Sequence, residues 1–84
     1  MRISFHEYAW ADYLYWQRTD PEKIKRINEL IRAIQRDRFQ GIGKPEPLKG
    51  NWSGFWSRRI DREHRLVYAF ENDSLLIAQC RFHH

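Results

Sequence analysis

Two helical segments meet at Asp20-Pro21-Glu22, and this short junction constrains the fold more than any other feature of the sequence. Residues 7–19 have the apolar spacing of a helix. Asp20 is a typical N-cap, Pro21 suits the first helical position, and Glu22 places a negative charge in the first turn. A second apolar stripe then continues at helical spacing and fades near Asp37. Because almost no chain separates the two helices, they are predicted to form an antiparallel hairpin.

Alternating apolar and polar residues predict one strand before this hairpin and three after it. Ile3 and Phe5 form the short first strand. The later strands are predicted over residues 55–60, 64–70 and 75–83, with turns at 61–63 and 71–73. The order β-α-α-β-β-β predicts a single α+β domain over residues 1–84. Its helical hairpin should pack on one face of a mainly antiparallel, four-stranded sheet.

Composition narrows the class of protein. The chain carries 15 basic and 11 acidic residues, a net charge of +4. Such a modest excess is typical of a protein that binds nucleic acid or an acidic protein partner. No apolar run is long enough to cross a membrane, and the N-terminus lacks the apolar stretch of a signal peptide, so a cytoplasmic protein without a membrane partner is predicted.

The single cysteine, Cys80, cannot form an internal disulfide and is predicted to be a buried thiol. No Cys/His spacing suggests zinc, so neither a metal nor another cofactor is predicted.

The segment over residues 38–54 is long for so small a domain. Its glycines and prolines break the periodic pattern, while Leu48 and Trp52 favour an ordered path. Loops of this length are usually functional or disordered. Glu46 stands in this loop between Lys44 and Lys49, either as a functional carboxylate or as an ordinary solvated one.

Strand register brings two arginines together. A three-residue turn at 61–63 places Arg59 opposite Arg65, with both side chains on one face. Facing arginines repel each other unless an anion or a carboxylate lies between them, which indicates a phosphate site. A structural network with nearby carboxylates is the alternative.

The turn at 71–73 decides which residues join this face. A three-residue turn pairs Arg65 with Gln79, whereas a two-residue turn places Arg65 with Cys80. We favour the first register, because it gathers Arg59, Arg65, Arg81 and His83 on one face. It leaves four residues for the core: Leu76, Ala78, Cys80 and Phe82.

These residue types suit RNA cleavage by the 2′-hydroxyl of the substrate, which needs a base, an acid and cations for the charge on phosphorus. His83 can serve as acid or base, because the unperturbed pKa of an imidazole lies near physiological pH. Glu46 is a second candidate, and Arg59 and Arg65 can stabilise the phosphate. Two alternatives stay open: a protein that binds RNA without cutting it, and a protein whose basic face docks an acidic protein partner.

Six segments of the chain resemble the YoeB toxin family, a family of the RelE type. They are DYLYWQ at 12–17, INELI at 27–31, GKPEPLK at 43–49, SGFWSRRI at 53–60, EHRLVY at 63–68 and CRFH at 80–83. The similarity covers essentially the whole chain. It implies a RelE-like fold and a toxin of a type II toxin–antitoxin system, a ribosome-dependent endoribonuclease that cuts mRNA in the A site and arrests translation.

By motif match, the resemblance implies that Glu46 is the general base, His83 the general acid and Arg65 the group that stabilises the transition state. Lys49 and Arg59 would hold the substrate backbone. The implied partners are the ribosome with its mRNA, a second copy of the chain, and a YefM-like antitoxin with a segment that folds on binding. In the terms of this resemblance, the two alternatives to cleavage are a non-catalytic protein that binds RNA or the ribosome, and a co-repressor whose basic face docks the antitoxin.

Three further residues complete the predicted RNA-binding set. Lys44 lies in the same loop as Glu46, and Arg81 is predicted to share a face with His83. The third is His84, where the family typically has an aromatic residue, usually tyrosine, after the catalytic histidine. An imidazole can also stack on a base, with less area.

Overall fold

The computed structural model describes residues 1–82. Within these residues the chain forms two helices, α1 and α2, five strands, β1 to β5, and a short 3-10 turn. In chain order these elements are β1 (Arg2–Phe5), α1 (Glu7–Thr19), α2 (Pro21–Arg36), β2 (Glu46–Pro47), the 3-10 turn (Gly50–Trp52), β3 (Trp56–Arg59), β4 (Arg65–Glu71) and β5 (Ser74–Gln79). The predicted α+β architecture is confirmed.

Side-chain caps start both helices, and the cap at Asp20 is the one predicted from the sequence. The His6 side chain accepts a hydrogen bond from the Tyr8 backbone N–H at 3.2 Å and caps α1. Asp20 accepts from the Glu22 backbone N–H at 3.2 Å, and Pro21 follows as the first residue of α2. Each cap satisfies a backbone donor that the first helical turn leaves without a partner. No helix in the described part of the chain is long and apolar enough to cross a membrane.

The sheet contains five strands in the order β1-β5-β4-β3-β2, so the predicted number of four is wrong. The additional strand is β2, two residues inside the loop that separates α2 from β3. It is an edge strand, so one side of its backbone faces no neighbouring strand. Pro47, which cannot donate to a sheet ladder, is tolerated there. The pair β1–β5 is parallel and the other three pairs are antiparallel, which agrees with a mainly antiparallel sheet.

The favoured register of the last hairpin is wrong. Glu71 pairs with Ser74, so the turn has two residues, and Asn72 takes a left-handed φ of 56° there. Asparagine tolerates this conformation, and two-residue turns match the twist of the flanking strands. A bulge at Val67 and Tyr68 then shifts the pairing so that Val67 lies opposite Gln79. Neither of the two registers considered from the sequence therefore holds along the whole strand.

The register also corrects the predicted core. The residues of β5 that pack against the helices are Leu75 and Ile77, both fully buried. Cys80 is buried as predicted, whereas Phe82 is 56% exposed. Strand β5 ends at Gln79 rather than at residue 83. The two helices supply the rest of the core, chiefly Ala9, Trp16, Ile27, Leu30, Ile31 and Ile34.

Because side chains alternate along a strand, the residues between these core positions point away from the helices. This second surface is called the far face of the sheet. On β3 and β4 it is formed by Ser57, Arg59, Arg65, Val67 and Ala69. The predicted neighbours Arg59 and Arg65 pair directly across the two strands, as expected.

Candidate active site

An ion pair joins the loop to the far face of the sheet. Arg65 Nη1 lies 3.1 Å from Glu46 Oε1 and also donates to Ser57 Oγ at 3.0 Å. Strand pairing makes the contact possible, because Glu46 lies opposite Ser57 across β2 and β3. The Arg65 side chain is only 11% exposed, whereas that of Glu46 is 54% exposed. The arginine is therefore fixed on two sides, and the carboxylate reaches it from solvent.

A second arginine holds the loop that carries Glu46. Arg58 is fully buried on the helix-packed face. Its Nε donates to the Tyr68 hydroxyl at 3.0 Å, and its Nη atoms donate to the backbone oxygens of Asp37 at 2.8 Å, Gln40 at 3.1 Å and Ile42 at 3.3 Å. Burial raises the pKa of Tyr68 despite the nearby guanidinium, so its hydroxyl stays protonated. Four acceptors satisfy one buried cation, and three of them are loop carbonyls.

Sequence reasoning assigned no role to Arg58, although the alternation of β3 contains a signal. Arg58 lies two residues from Trp56 and two from Ile60, and both of these belong to or pack on the core. Its side chain must therefore point inward, while Arg59 points to the far face. The identity of its acceptors depends on the fold of a distant loop and could not be read from this pattern.

A close approach at Gly43 completes the attachment of the loop. The Arg59 backbone N–H donates to the Gly43 carbonyl at 2.7 Å. Gly43 has a φ of +83°, and a Cβ there would lie 2.8 Å from Leu30 Cδ2 and 3.0 Å from Arg58 Cβ. Only glycine fits this position. Lys44 follows with a left-handed φ of 52° and an exposed side chain.

Arg59 is exposed beside Arg65, and within residues 1–82 no ion pair includes it. Its backbone carbonyl accepts from Arg26 Nη2 at 3.3 Å, which ties the strand to α2. The sequence left two interpretations of the facing arginines, a phosphate site and a network with nearby carboxylates. The second describes Arg65, because Glu46 supplies the carboxylate. The guanidinium of Arg59 remains available to an anion.

Arg81 contacts α1 rather than the Glu46–Arg65 pair. Its guanidinium carbon lies 3.6 Å from the centre of the Tyr15 ring, a cation–π contact. Nearby, the Cys80 backbone N–H donates to Asp12 Oδ2 at 3.3 Å. Burial raises the pKa of Asp12, although this hydrogen bond and the charge of Arg81 act in the opposite direction. The predicted grouping of Arg81 with Arg65 rested on the incorrect register.

Three hydrogen bonds hold the backbone of Phe82, the last residue that the structure describes. Its backbone N–H donates to His64 Nδ1 at 2.8 Å. Its carbonyl accepts from the Arg65 backbone N–H at 3.1 Å and from Gln79 Nε2 at 3.3 Å. His83 and His84, both predicted site residues, lie outside the described residues. Nothing in the sequence pattern singled out His64 as a partner of this segment.

A cleft of about 440 Å³ opens beside these residues. Aromatic and polar side chains line it: Tyr8, Asp12, Trp52, Phe55, Gln79, Arg81 and Phe82. Trp52 comes from the 3-10 turn that directly follows Lys49, itself exposed. Aromatic rings beside a cation can stack on planar bases. Among the described residues, no group of three His, Cys, Asp or Glu side chains could hold a metal ion.

Comparison with known proteins gives a consistent result. The model of the YoeB-like toxin of bacterial type II toxin–antitoxin systems matches residues 5–84. The chain is 62% identical to Toxin YoeB of Escherichia coli K12 over the full length of both. The chain belongs to the YoeB-like toxin family.

Solved structures of this family superpose closely. The YoeB/ParE toxin from Agrobacterium tumefaciens has a TM-score of 0.98 and 49% identity, with all of both chains covered. The Staphylococcus aureus YoeB dimer has a TM-score of 0.93 and 46% identity over 100% of this chain and 98% of that one. The S. aureus YoeB–YefM complex gives 0.92 and 45%, with the same coverage.

As a YoeB-like toxin, the chain brings together only part of the predicted site. Glu46 and Arg65 are in contact, and Arg59 is the strand neighbour of Arg65. Lys44 and Lys49 lie exposed on either side of β2 in the same loop as Glu46. This arrangement offers one carboxylate beside several cations, residue types that can bind a phosphate and move a proton.

Proposed function

We propose that this toxin of a type II toxin–antitoxin system is a ribosome-dependent endoribonuclease that cuts mRNA in the A site and thereby arrests translation. The observation that carries the proposal is the contact between Glu46 and Arg65, 3.1 Å apart on the far face beside Arg59. Cutting RNA through its own 2′-hydroxyl requires a base and a cation next to each other. This pair supplies both.

The proposed reaction starts when Glu46 takes the proton of a ribose 2′-hydroxyl. The 2′-oxygen then attacks the adjacent phosphorus, and the bond from phosphorus to the 5′-oxygen breaks. His83 gives a proton to that leaving oxygen, and a 2′,3′-cyclic phosphate remains on the upstream fragment. Arg65 and Arg59 stabilise the additional negative charge on the phosphoryl oxygens. Arg65 exchanges its carboxylate partner for phosphate as substrate enters.

The surroundings of the pair support an RNA substrate. Lys44 and Lys49 add exposed positive charge along the loop, suited to a phosphate backbone. The aromatic cleft next to Phe82, with Trp52 and Phe55, suits unpaired bases. Arg81 and His84 complete the proposed contacts to RNA at the end of the chain.

We also propose that the toxin forms a homodimer and is neutralised by a YefM-like antitoxin in the cytoplasm, where translation takes place. The solved S. aureus relatives, a YoeB dimer and a YoeB–YefM complex, support both partners. The net charge of +4 favours an acidic antitoxin segment.

The test is to map mRNA 5′ ends after the purified toxin acts on programmed ribosomes. The unmodified toxin should cut A-site codons and leave free mRNA intact. The variant Glu46→Gln should cut about 10²- to 10⁴-fold more slowly, since it lacks the base. Glu71→Gln removes an exposed carboxylate at the far end of β4 and serves as the matched control.

Full cleavage by Glu46→Gln would overturn the acid–base proposal. Arrest with intact mRNA ends and a steep dependence on salt would indicate instead that the toxin binds the ribosome without cutting.

A further inference from the structure

We propose that His64 is a positioning residue for His83. It acts through Phe82, the residue before His83, whose backbone N–H donates to His64 Nδ1 at 2.8 Å. The inference rests on the proposed function, because it takes His83 as the general acid. His64 touches neither substrate nor reacting atoms in this scheme; it holds the backbone of Phe82, the residue that precedes His83 in the sequence.

Phe82 needs such support because its backbone is in an unfavourable conformation. Its φ is +65°, in the left-handed region that residues with a side chain rarely adopt. The ring is 56% exposed, so packing alone does not fix it. Hydrogen bonds do: the N–H binds His64, and the carbonyl accepts from the Arg65 N–H and from Gln79 Nε2. Both polar groups of one peptide residue are therefore held.

His64 is itself fixed on three sides. Its backbone N–H donates to Asp61 Oδ1 at 2.7 Å, and its carbonyl accepts from the Ile60 N–H at 2.9 Å. Its ring packs edge-on against Trp16, with centroids 4.8 Å apart. A backbone N–H can only donate, so Nδ1 is the acceptor in this contact. The acceptor is thus held in one place.

The neighbouring residue, Arg65, links the two sides of the proposed reaction. Its backbone N–H holds the Phe82 carbonyl, while its side chain binds Glu46. His64 and Arg65 therefore both bind the backbone of Phe82, the residue before the proposed acid. The side chain of Arg65 also binds Glu46, the proposed base. A displacement of Phe82 would move the point at which the proposed acid is joined to the chain. A shift of about 1 Å in a reacting group can cost about 10²-fold in rate.

The experiment compares His64→Leu with His64→Asn in ribosome-dependent cleavage. Asparagine keeps an acceptor near the position of Nδ1, whereas leucine has none. We expect His64→Leu to lower kcat about 10- to 100-fold with KM changed less than about threefold, and His64→Asn to retain kcat within about threefold. The control, Tyr13→Phe, deletes a hydrogen bond of similar length, 2.7 Å to Asn28, between the two helices, and should leave kcat unchanged.

Hydrogen exchange of the Phe82 amide provides the second readout. It should be fast in His64→Leu and protected in His64→Asn. An unchanged kcat in His64→Leu with a fast-exchanging amide overturns the proposal. So does a loss of kcat in His64→Asn with the amide still protected. If His64→Leu does not fold, Gln79→Met replaces it, because this variant removes the hydrogen bond from Gln79 Nε2 to the Phe82 carbonyl. A three- to tenfold lower kcat is expected, on the scale of a small misplacement. An unchanged kcat overturns the proposal.

The Glu46→Gln variant separates this inference from the proposed function. If Glu46→Gln is fully active, the catalytic scheme itself fails. If Glu46→Gln is inactive while His64→Leu is as active as the unmodified toxin, only the positioning role fails.

Discussion

Arg58 and Arg65 lie on neighbouring strands and face opposite sides of the sheet, and their partners differ in kind. Arg58 is fully buried and donates to a tyrosine hydroxyl and to three backbone carbonyls. Arg65 donates to a serine hydroxyl and to the carboxylate of Glu46. Carbonyls cannot leave without unfolding the loop, whereas a half-exposed carboxylate can be exchanged for a phosphate. One arginine is therefore suited to structure and the other to chemistry.

Energetics support this division. When a buried cation is removed, its acceptors stay buried without a donor. The cost of removing those acceptors from water is then no longer offset by a hydrogen bond. An ion pair with an exposed carboxylate contributes little to stability in water. Substitutions at the two arginines should thus separate activity from stability.

The largest effect is expected for Arg65→Gln. Losing the charge that faces the phosphate should slow ribosome-dependent mRNA cleavage about 10³-fold, as for removal of other groups that stabilise a transition state. The free energy of unfolding should fall by about 1 kcal/mol or less. Single-turnover cleavage and urea unfolding measure the two quantities. Arg62→Gln, in the exposed β3–β4 turn, is the control, and equal cleavage rates for both variants would contradict the assignment.

Arg58→Met should show the reverse pattern. The free energy of unfolding is expected to fall by about 2–4 kcal/mol, because Tyr68 and three loop carbonyls lose their donor in a buried site. Cleavage per folded molecule should fall less than in Arg65→Gln. Urea denaturation with an unchanged m-value checks the prediction. A greater loss of stability in Arg65→Gln than in Arg58→Met would remove the distinction between the two arginines.

A smaller effect is expected at the glycine that packs against Arg58. Gly43→Ala should cost about 2 kcal/mol, since its Cβ would contact Leu30 and Arg58 at a φ of +83°. Gly50→Ala is the matched control. Its φ is +65° but no atom lies within 4 Å of the added Cβ, so only the backbone cost of about 1 kcal/mol remains. Thermal or urea unfolding of the two variants should rank them in this order.

The smallest effect concerns pH and the ion pair between Asp61 and Lys23, 2.9 Å apart. Burial alone would raise the pKa of Asp61, but hydrogen bonds from Lys23 and from the backbone of Glu63 and His64 outweigh it, and the pKa lies below 3.8. The ionised carboxylate thus contributes stability above the unfolded pKa, and this contribution is lost as pH falls through the folded value.

At pH 7 Asp61→Asn should be less stable by about 1 kcal/mol or less, and the difference should shrink as pH falls below the ordinary carboxyl pKa and through the lower pKa of the folded state. Asp73→Asn, an exposed position in the β4–β5 turn, should show no such convergence. A constant difference for Asp61→Asn between pH 7 and pH 2 would contradict the linkage.

Local rules predicted the helices well because their signals are local. The cap at Asp20 and the junction at Pro21 depend on residues within one turn. The pairing of Arg59 with Arg65 followed from the length of one turn. These features need no information from distant parts of the chain.

The features that could not be predicted depend on distant parts of the chain. The bulge at Val67 changed the partners of β5, and a period-two pattern does not show where a strand takes an additional residue. Strand β2 was not predicted because Glu46 and Pro47 pair with β3 only when the loop that carries them is held in place. Arg58 holds that loop from the helix-packed face of the sheet. The residue types of the candidate site could thus be predicted from the sequence, whereas the contacts between these residues depend on the fold.

The parallel pairing of β1 with β5 has a consequence for synthesis of the protein. Arg2 pairs with Ser74 and Phe5 with Ile77, so the N-terminal strand has no partner until nearly all the residues described have been made. Pairing at such long sequence separation closes late, after the local hairpins. The β2–β3–β4 region that carries Glu46 and Arg65 can form first, and the Phe82 contacts come last. A ribosome that translates this toxin therefore makes nearly the whole chain before the sheet can close.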